Sequence, residues 1–236
     1  MIHYHFTPIT PRKELLTLAG CHLGVSFARP DDVRVCHEIA QSVMLDNGAF
    51  TIWRQGGEPN WASYYDWCDE WLDCPTTWAV IPDQIDADEE TQDQLLKIWP
   101  YGQRGAPVWH LNESVSRLLH LTDEHPRICL GSAGEYAQVG SNGWKRKMFI
   151  AFNEVSKRHQ RLPWLHGLRM QSMSRYFPFG SVDSADIGRN HNRPQNTAAK
   201  MAKRWDSQQP RFKWMETPIQ QELVQQIETL IDAAQQ

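Results

Sequence analysis

Eight short apolar runs punctuate this chain, and most are separated by stretches with helical periodicity. The runs are Ile2–Phe6, His22–Phe27, Ser42–Leu45, Thr77–Ile81, Pro107–Leu111, Arg127–Leu130, Trp164–Met170 and Phe179–Val182. Between them, residues 31–40, 61–72, 88–98, 114–121 and 143–157 place apolar side chains every three or four positions, which lays one face of a helix on a core. Strands alternating with helices call for a parallel sheet, and right-handed crossovers favour its closure. The sequence therefore predicts an α/β fold, a single (β/α)8 TIM-like barrel over residues 1–236, with C-terminal helices at 196–205 and 218–234. A length of 236 residues suits such a domain. An open doubly wound sheet is the competitor, but no Gly-x-Gly-x-x-Gly follows any run. The first run and segment 171–178 fit the alternation least well.

Three of the runs end in an acid. Val43-Met44-Leu45 leads into Asp46-Asn47-Gly48-Ala49-Phe50, Trp78-Ala79-Val80-Ile81-Pro82 into Asp83-Gln84, and Phe179-Gly180-Ser181-Val182 into Asp183-Ser184-Ala185-Asp186. A parallel barrel brings every strand's C-terminal end to one face, so three strand-end carboxylates predict convergence on one substrate. Each acid also has a purely structural reading. Asn47-Gly48 is a common turn dipeptide, Asp83 could cap the following helix, with Asp86 or Asp88 as the competing N-cap, and Asp183 has Arg189 as a salt-bridge candidate. The acidic run Asp86 to Glu90 reads as a first helical turn favoured by the helix dipole rather than as a Mg²⁺ site.

Charge is distributed unevenly. Residues 1–140 carry 9 basic and 20 acidic side chains, residues 141–214 carry 15 and 4, and the whole chain nets −4. The basic block is rich in aromatics, including Trp144, Phe149, Trp164, Tyr176, Phe177, Trp205, Phe212 and Trp214. Cations interleaved with rings suit phosphate contacts and base stacking, although solvated helix faces over core aromatics give the same pattern. The block surrounds Asp183, which favours a polyanionic partner. No run reaches the roughly 18 apolar residues that a membrane span requires, so no membrane partner is expected. Five scattered cysteines (Cys21, Cys36, Cys68, Cys74, Cys129) without a Cys-x-x-Cys pair favour reduced thiols and a cytoplasmic location.

At these acids the sequence resembles the queuine/archaeosine tRNA-guanine transglycosylases. Leu45-Asp46-Asn47-Gly48-Ala49-Phe50 resembles their Asp-Ser-Gly-Gly-Phe motif, and Val182-Asp183-Ser184-Ala185 a Phe-Asp-Ser-Ala form of their nucleophile motif. Val80-Ile81-Pro82-Asp83 falls at the position of their guanine-reading aspartate. Arg127 to Glu135 resembles the strand whose backbone amides hold the base, and His166-Gly167-Leu168 resembles their strand-7 Met-Gly-Val-Gly. Order and spacing carry the likeness over about residues 20–190, and the short phage and bacterial branch that inserts 7-deazaguanines into DNA fits best. The tRNA enzymes have a zinc site of three cysteines and a histidine after the nucleophile. Here no cysteine follows Cys129, so no structural zinc is expected. Their strand-end glutamine corresponds to His110.

The resemblance implies exchange of guanine for a 7-deazaguanine in DNA or tRNA, with DNA favoured. Such chemistry needs these residue types on its own account. Exchange at C1′ passes through an oxocarbenium-like state that a carboxylate can capture covalently, and Asp183 takes that role, with Asp186 as the alternative. Asp46 is assigned proton transfer to the departing base and from the incoming one. Asp83 is assigned the N1–H and N2–H edge, with His110 beside it and the Gly131 and Ser132 amides facing O6. Phe50, Trp53 and Tyr176 are candidates to stack an extruded base. Arg189 and Arg193 are candidate phosphate clamps, joined by Lys145, Arg146 and Lys147 and by Lys200, Lys203 and Arg204. No cofactor is required, and a homodimer is compatible with the reading. The alternatives are a hydrolytic glycosylase or nucleoside hydrolase and a non-catalytic nucleic-acid-binding subunit.

Overall fold

The computed structural model describes residues 1–159 and 161–210. The helix expected at 218–234, and with it Phe212 and Trp214, lies outside the described residues. Nine strands, β1 (Ile2–Phe6), β2 (His22–Ser26), β3 (Ser42–Asp46), β4 (Thr77–Val80), β5 (Gly105–Ala106), β6 (Val108–His110), β7 (Arg127–Gly131), β8 (Trp164–Gly167) and β9 (Ser181–Ser184), form one sheet. Every pairing is parallel, in the order β5-β4-β3-β2-β1-β9-β8-β7-β6.

The ends of that order are neighbours in the chain, separated only by Pro107. β5 pairs with β4 and β6 with β7, so residues 105–110 act as one barrel position. Proline has no N–H for the ladder, which is why the strand is recorded in two pieces. The carbonyls on either side keep working: Ile81 N–H donates to Ala106 O at 2.9 Å and Cys129 N–H to Pro107 O at 2.8 Å. The eight runs read from the sequence are thus eight barrel positions in a TIM-like (β/α) barrel.

The helices are α1 (Arg12–Leu16), α2 (Val33–Ile39), α3 (Ala49–Arg54), α4 (Trp61–Trp71), α5 (Glu89–Lys97), α6 (Val115–Glu124), α7 (Asn142–Arg158), α8 (Asp186–Asn190) and α9 (Ala198–Asp206). Side-chain caps start five of them: Asn60, Asp88, Ser114, Ser141 and Thr197 each accept a backbone N–H from the first turn. Asp88, not Asp83, therefore caps α5, which frees Asp83 for other partners. No α-helix joins β8 to β9. A short 3₁₀ turn at Gln171–Met173 fills that connection, and Phe177 and Phe179 pack against Trp144 and Phe152 where a helix would lie. This is the region where the helical pattern was weakest.

Outward-facing strand residues pack against the helices in two groups. One gathers Leu23, Val25, Val43, Leu45 and Ala79 under α1, α2, α4 and α9, and the other gathers Ile128, Leu130, Leu165 and Val182 under α6 and α7. Inward-facing Tyr4, Phe6, Met44, Trp78, Val80, Ala106, Val108 and Cys129 fill the barrel. Gly24 belongs to this packing, because a Cβ there would meet the Phe6 ring at 2.2–2.6 Å. Low in the barrel, the Trp78 indole donates to Tyr4 Oη (2.9 Å), and the Arg127 guanidinium lies over Trp78 and Trp164, 4.4 and 5.1 Å from their ring centroids. An aromatic floor of this kind leaves the C-terminal mouth as the place for polar chemistry.

Candidate active site

Asp46, Asp83 and Asp183 all lie at that mouth, on three different barrel positions, and within electrostatic reach of one another. Asp46 ends β3 in register with Ser26, whose hydroxyl donates to Asp46 Oδ2 at 2.8 Å; Gly48 N–H donates to the same oxygen at 3.1 Å. Gly48 has φ +76°, and a Cβ there would sit 2.9 Å from Ala28 N, so the turn requires glycine. The turn reading of Asp46-Asn47-Gly48 therefore holds, and that turn sets Asp46 at the mouth. Solvent still reaches Asp46 through the mouth, yet the surrounding protein pushes its pKa up to about 6. Burial is the largest cause, Asp183 and Asp83 add to it, and the Ser26 and Gly48 donors oppose it.

Asp83 is buried and has one side-chain partner on each oxygen. Asn47 Nδ2 donates to Oδ1 at 2.7 Å and also to Ile81 O, while His110 Nε2 donates to Oδ2 at 2.9 Å. Burial, the largest influence, would lower the His110 pKa, but Asp83 and then Glu113 outweigh it and the net shift is upward. Glu113 is itself held by Arg117 at 2.7 Å, and its carboxyl accepts the His110 N–H. His110 Nδ1 is buried without a partner among the described residues, against Gly131, where a Cβ would come within 2.9 Å. Ser132 Oγ accepts from the Trp144 indole (2.9 Å), which leaves that residue's backbone for any ligand contact.

Asp183 is nine-tenths buried and accepts two hydrogen bonds on Oδ1, from His166 Nε2 (3.2 Å) and from Arg169 N–H (2.8 Å). Arg189 does not pair with it. The His166 tautomer follows from its neighbours. The Trp164 indole can only donate, and it donates to Ser181 Oγ at 2.7 Å; Ser181 then donates its proton to His166 Nδ1 at 2.7 Å, and Nε2–H faces the carboxylate. Burial lowers the His166 pKa and keeps the ring neutral, with Asp183 opposing. The chain indole, hydroxyl, imidazole, carboxylate thus fixes the Asp183 rotamer. Asp186, the alternative nucleophile, accepts from Asn190 Nδ2 (2.6 Å) and from the Trp205 indole (2.9 Å), tying α8 to α9.

Phe50 is the second residue of α3, four positions past Asp46, and the guanidinium of Arg169 lies over its ring, 3.5 Å from the centroid. Trp53 and Tyr176 are exposed. Of the expected phosphate contacts, Arg189, Arg193 and Arg146 are exposed on segments that follow β9 and β7, and Lys145 is half-buried. Lys147 is already engaged: its ammonium donates to Glu113 O at 2.9 Å and lies over the Trp109 and Tyr136 rings. Lys200, Lys203 and Arg204 are exposed along α9, whose last residue, Asp206, is bonded to His5 on the outer face of β1. Ser26, Asn47, His166 and Arg169 were not assigned to the site from the sequence. Three acids thus share one barrel mouth, Asp46 with its pKa raised and Asp183 with fixed donors on one oxygen, an arrangement that can supply a proton and a nucleophile to a common ligand. No protein-family model matches the chain, and no curated protein or solved structure matches it.

Among the described residues no helix is long and apolar enough to cross a membrane, and no cluster of histidine, cysteine, aspartate or glutamate suits a metal ion.

Proposed function

We propose that this protein is a base-exchanging transglycosylase that replaces guanine in a nucleic acid, DNA in preference to tRNA, by a 7-deazaguanine. It would then stand beside the short DNA-acting branch of the tRNA-guanine transglycosylase family. One observation carries the reading: three carboxylates from separate strands meet at one mouth, each with a different set of partners. Asp183 attacks C1′ as the guanine–C1′ bond breaks, and protonated Asp46 gives its proton to the departing base. The incoming base returns a proton to Asp46, attacks C1′ and expels Asp183, so protons balance and configuration is retained. Asp83, with His110 and Asn47 holding it, offers its remaining lone pairs to the guanine edge. The reaction needs an extruded nucleotide, because a stacked base keeps C1′ out of reach.

The test is exchange of labelled guanine into DNA and into tRNA, followed by nucleoside mass spectrometry. Label retained in polymer supports exchange. Release of free base without incorporation replaces this reading by a hydrolytic glycosylase, and neither outcome leaves a binding subunit. Asp83→Asn tests base recognition. An amide puts an N–H₂ against either the Asn47 or the His110 donor, so the variant should lose guanine preference and about 1–3 kcal/mol of stability. Competition between guanine analogues and urea unfolding measure the two effects.

A further inference from the structure

Arg169 is exposed at the mouth, yet three features set it apart from an arginine free in solvent. Its backbone is left-handed, with φ +57°, a conformation that a non-glycine residue keeps where surrounding contacts enforce it. Its N–H is spent on Asp183 Oδ1, and its guanidinium covers the face of Phe50. Stacking occupies the flat faces of a guanidinium and leaves its in-plane N–H edge for an anion. Among the described residues no carboxylate or carbonyl is bonded to that edge, although Asp183, Asp46 and Asp83 all lie near enough to be felt. Arg189 is close enough to Arg169 to oppose its charge, and its own guanidinium is exposed with no partner among the described residues. Two guanidiniums that feel each other's charge repel less when an anion lies between them. They also stand on the segments that follow adjacent barrel positions: Arg169 two residues past β8, with its N–H on the carboxylate assigned to C1′, and Arg189 in α8 after β9.

We infer that Arg169, braced on Phe50, and Arg189 form a phosphate-binding pair that grips the phosphodiester beside the reacting nucleotide. This rests on the proposed reaction for the identity of the ligand, but its logic is electrostatic. Three carboxylates at the mouth repel a polyanion, and C1′ approaches Asp183 only if the flanking phosphate is neutralised locally. Arg169 is then a specificity-determining residue: it selects a nucleotide within a phosphodiester chain over a free nucleoside.

The probes are guanosine and guanosine 3′,5′-bisphosphate, titrated calorimetrically into the intact protein, Arg169→Gly, Arg169→Lys and Arg189→Ala. Glycine suits φ +57°, so Arg169→Gly removes the guanidinium without adding backbone strain, and circular dichroism confirms folding. Wild type should bind the bisphosphate roughly ten- to a hundredfold tighter than guanosine, the range for charge-assisted hydrogen bonds. Arg169→Gly should lose most of that factor while guanosine affinity stays close to wild type, and Arg169→Lys should recover only part. Equal loss for both ligands would make Arg169 a packing residue on Phe50 and overturn the inference. Tighter binding of both would make it a gate over Phe50, and no bisphosphate advantage in wild type would also overturn it. The two readings separate cleanly. A bisphosphate advantage that depends on Arg169 in a protein without base exchange sinks the reaction and keeps the pair. Base exchange with an undiminished advantage in Arg169→Gly sinks the pair alone.

Discussion

Two aspartates three residues apart, Asp183 and Asp186, carry the same functional group and have opposite surroundings. Asp183 sits at the mouth with donors fixed on one oxygen and its second oxygen without a protein partner among the described residues, as attack on C1′ requires. Asp186 has both oxygens bound to side chains that join α8 to α9. Asp183→Asn should therefore abolish exchange and trapping of a covalent protein–nucleic-acid adduct, whereas Asp186→Asn should stay active and lose about 1 kcal/mol of stability. Adduct gels and thermal melts read the two outcomes, and an inactive Asp186→Asn with an active Asp183→Asn would exchange their roles. Asp46 gives a pH signature. Its folded pKa of about 6 lies above that of an unfolded aspartate, so the folded state binds the extra proton between about pH 4 and 6. Stability is then lost as pH rises through that window and is level above it. Asp46→Asn should be more stable than wild type at pH 8, by about 1–2 kcal/mol after solvent screening, and equal to it at pH 4. Adduct formation by wild type should fall as pH rises through about 6, because the acid form delivers the proton.

Among the elements, the strands are more constrained than the helices around them. β2 must carry glycine at position 24 because the Phe6 ring occupies the space its side chain would take. Gly24→Ala should destabilise by roughly 1–3 kcal/mol, the usual cost of overpacking a core. Phe6→Leu in the same chain should recover part of it. Urea unfolding of the single and double variants checks this, and an unaffected Gly24→Ala would mean the barrel interior is looser than the packing implies. Helices were legible from apolar residues every three or four positions, with Asp88 one of two cap candidates for α5, and strand positions from apolar runs. The break at Pro107 and the missing helix between β8 and β9 were not, since proline in a run and an irregular Phe-Pro-Phe segment have several local solutions.

Across the whole molecule, acidic and basic halves of the sequence do not map simply onto an acidic and a basic face. The acids that matter converge inside the mouth, and the basic residues divide between its rim and the flank of α9. Nucleic-acid binding should therefore respond unequally to their removal. Arg189→Ala should lower the salt dependence of affinity by about one phosphate contact. Lys203→Ala and Arg204→Ala should change it less, and Lys147→Ala should cost stability with the slope intact. Fluorescence anisotropy over a range of salt concentrations measures all four, and equal slopes for Arg189→Ala and Lys203→Ala would place the nucleic acid on the barrel flank.

The chain by itself determined the parallel barrel and the three strand-end acids. Both are local patterns: an apolar run, a helical period and an acid at the next position are read within ten residues, and barrel topology converts them to one face. Tertiary structure alone decided what surrounds each acid. Asn47 reaches Asp83 across 36 positions, His166 reaches Asp183 across 17, and Ser26 reaches Asp46 across 20. Such pairings depend on strand register and side-chain direction, which no spacing along the sequence encodes. Arg169 is the clearest case: nothing in its local sequence marks it, and only the folded chain shows an arginine held at φ +57° over an aromatic ring.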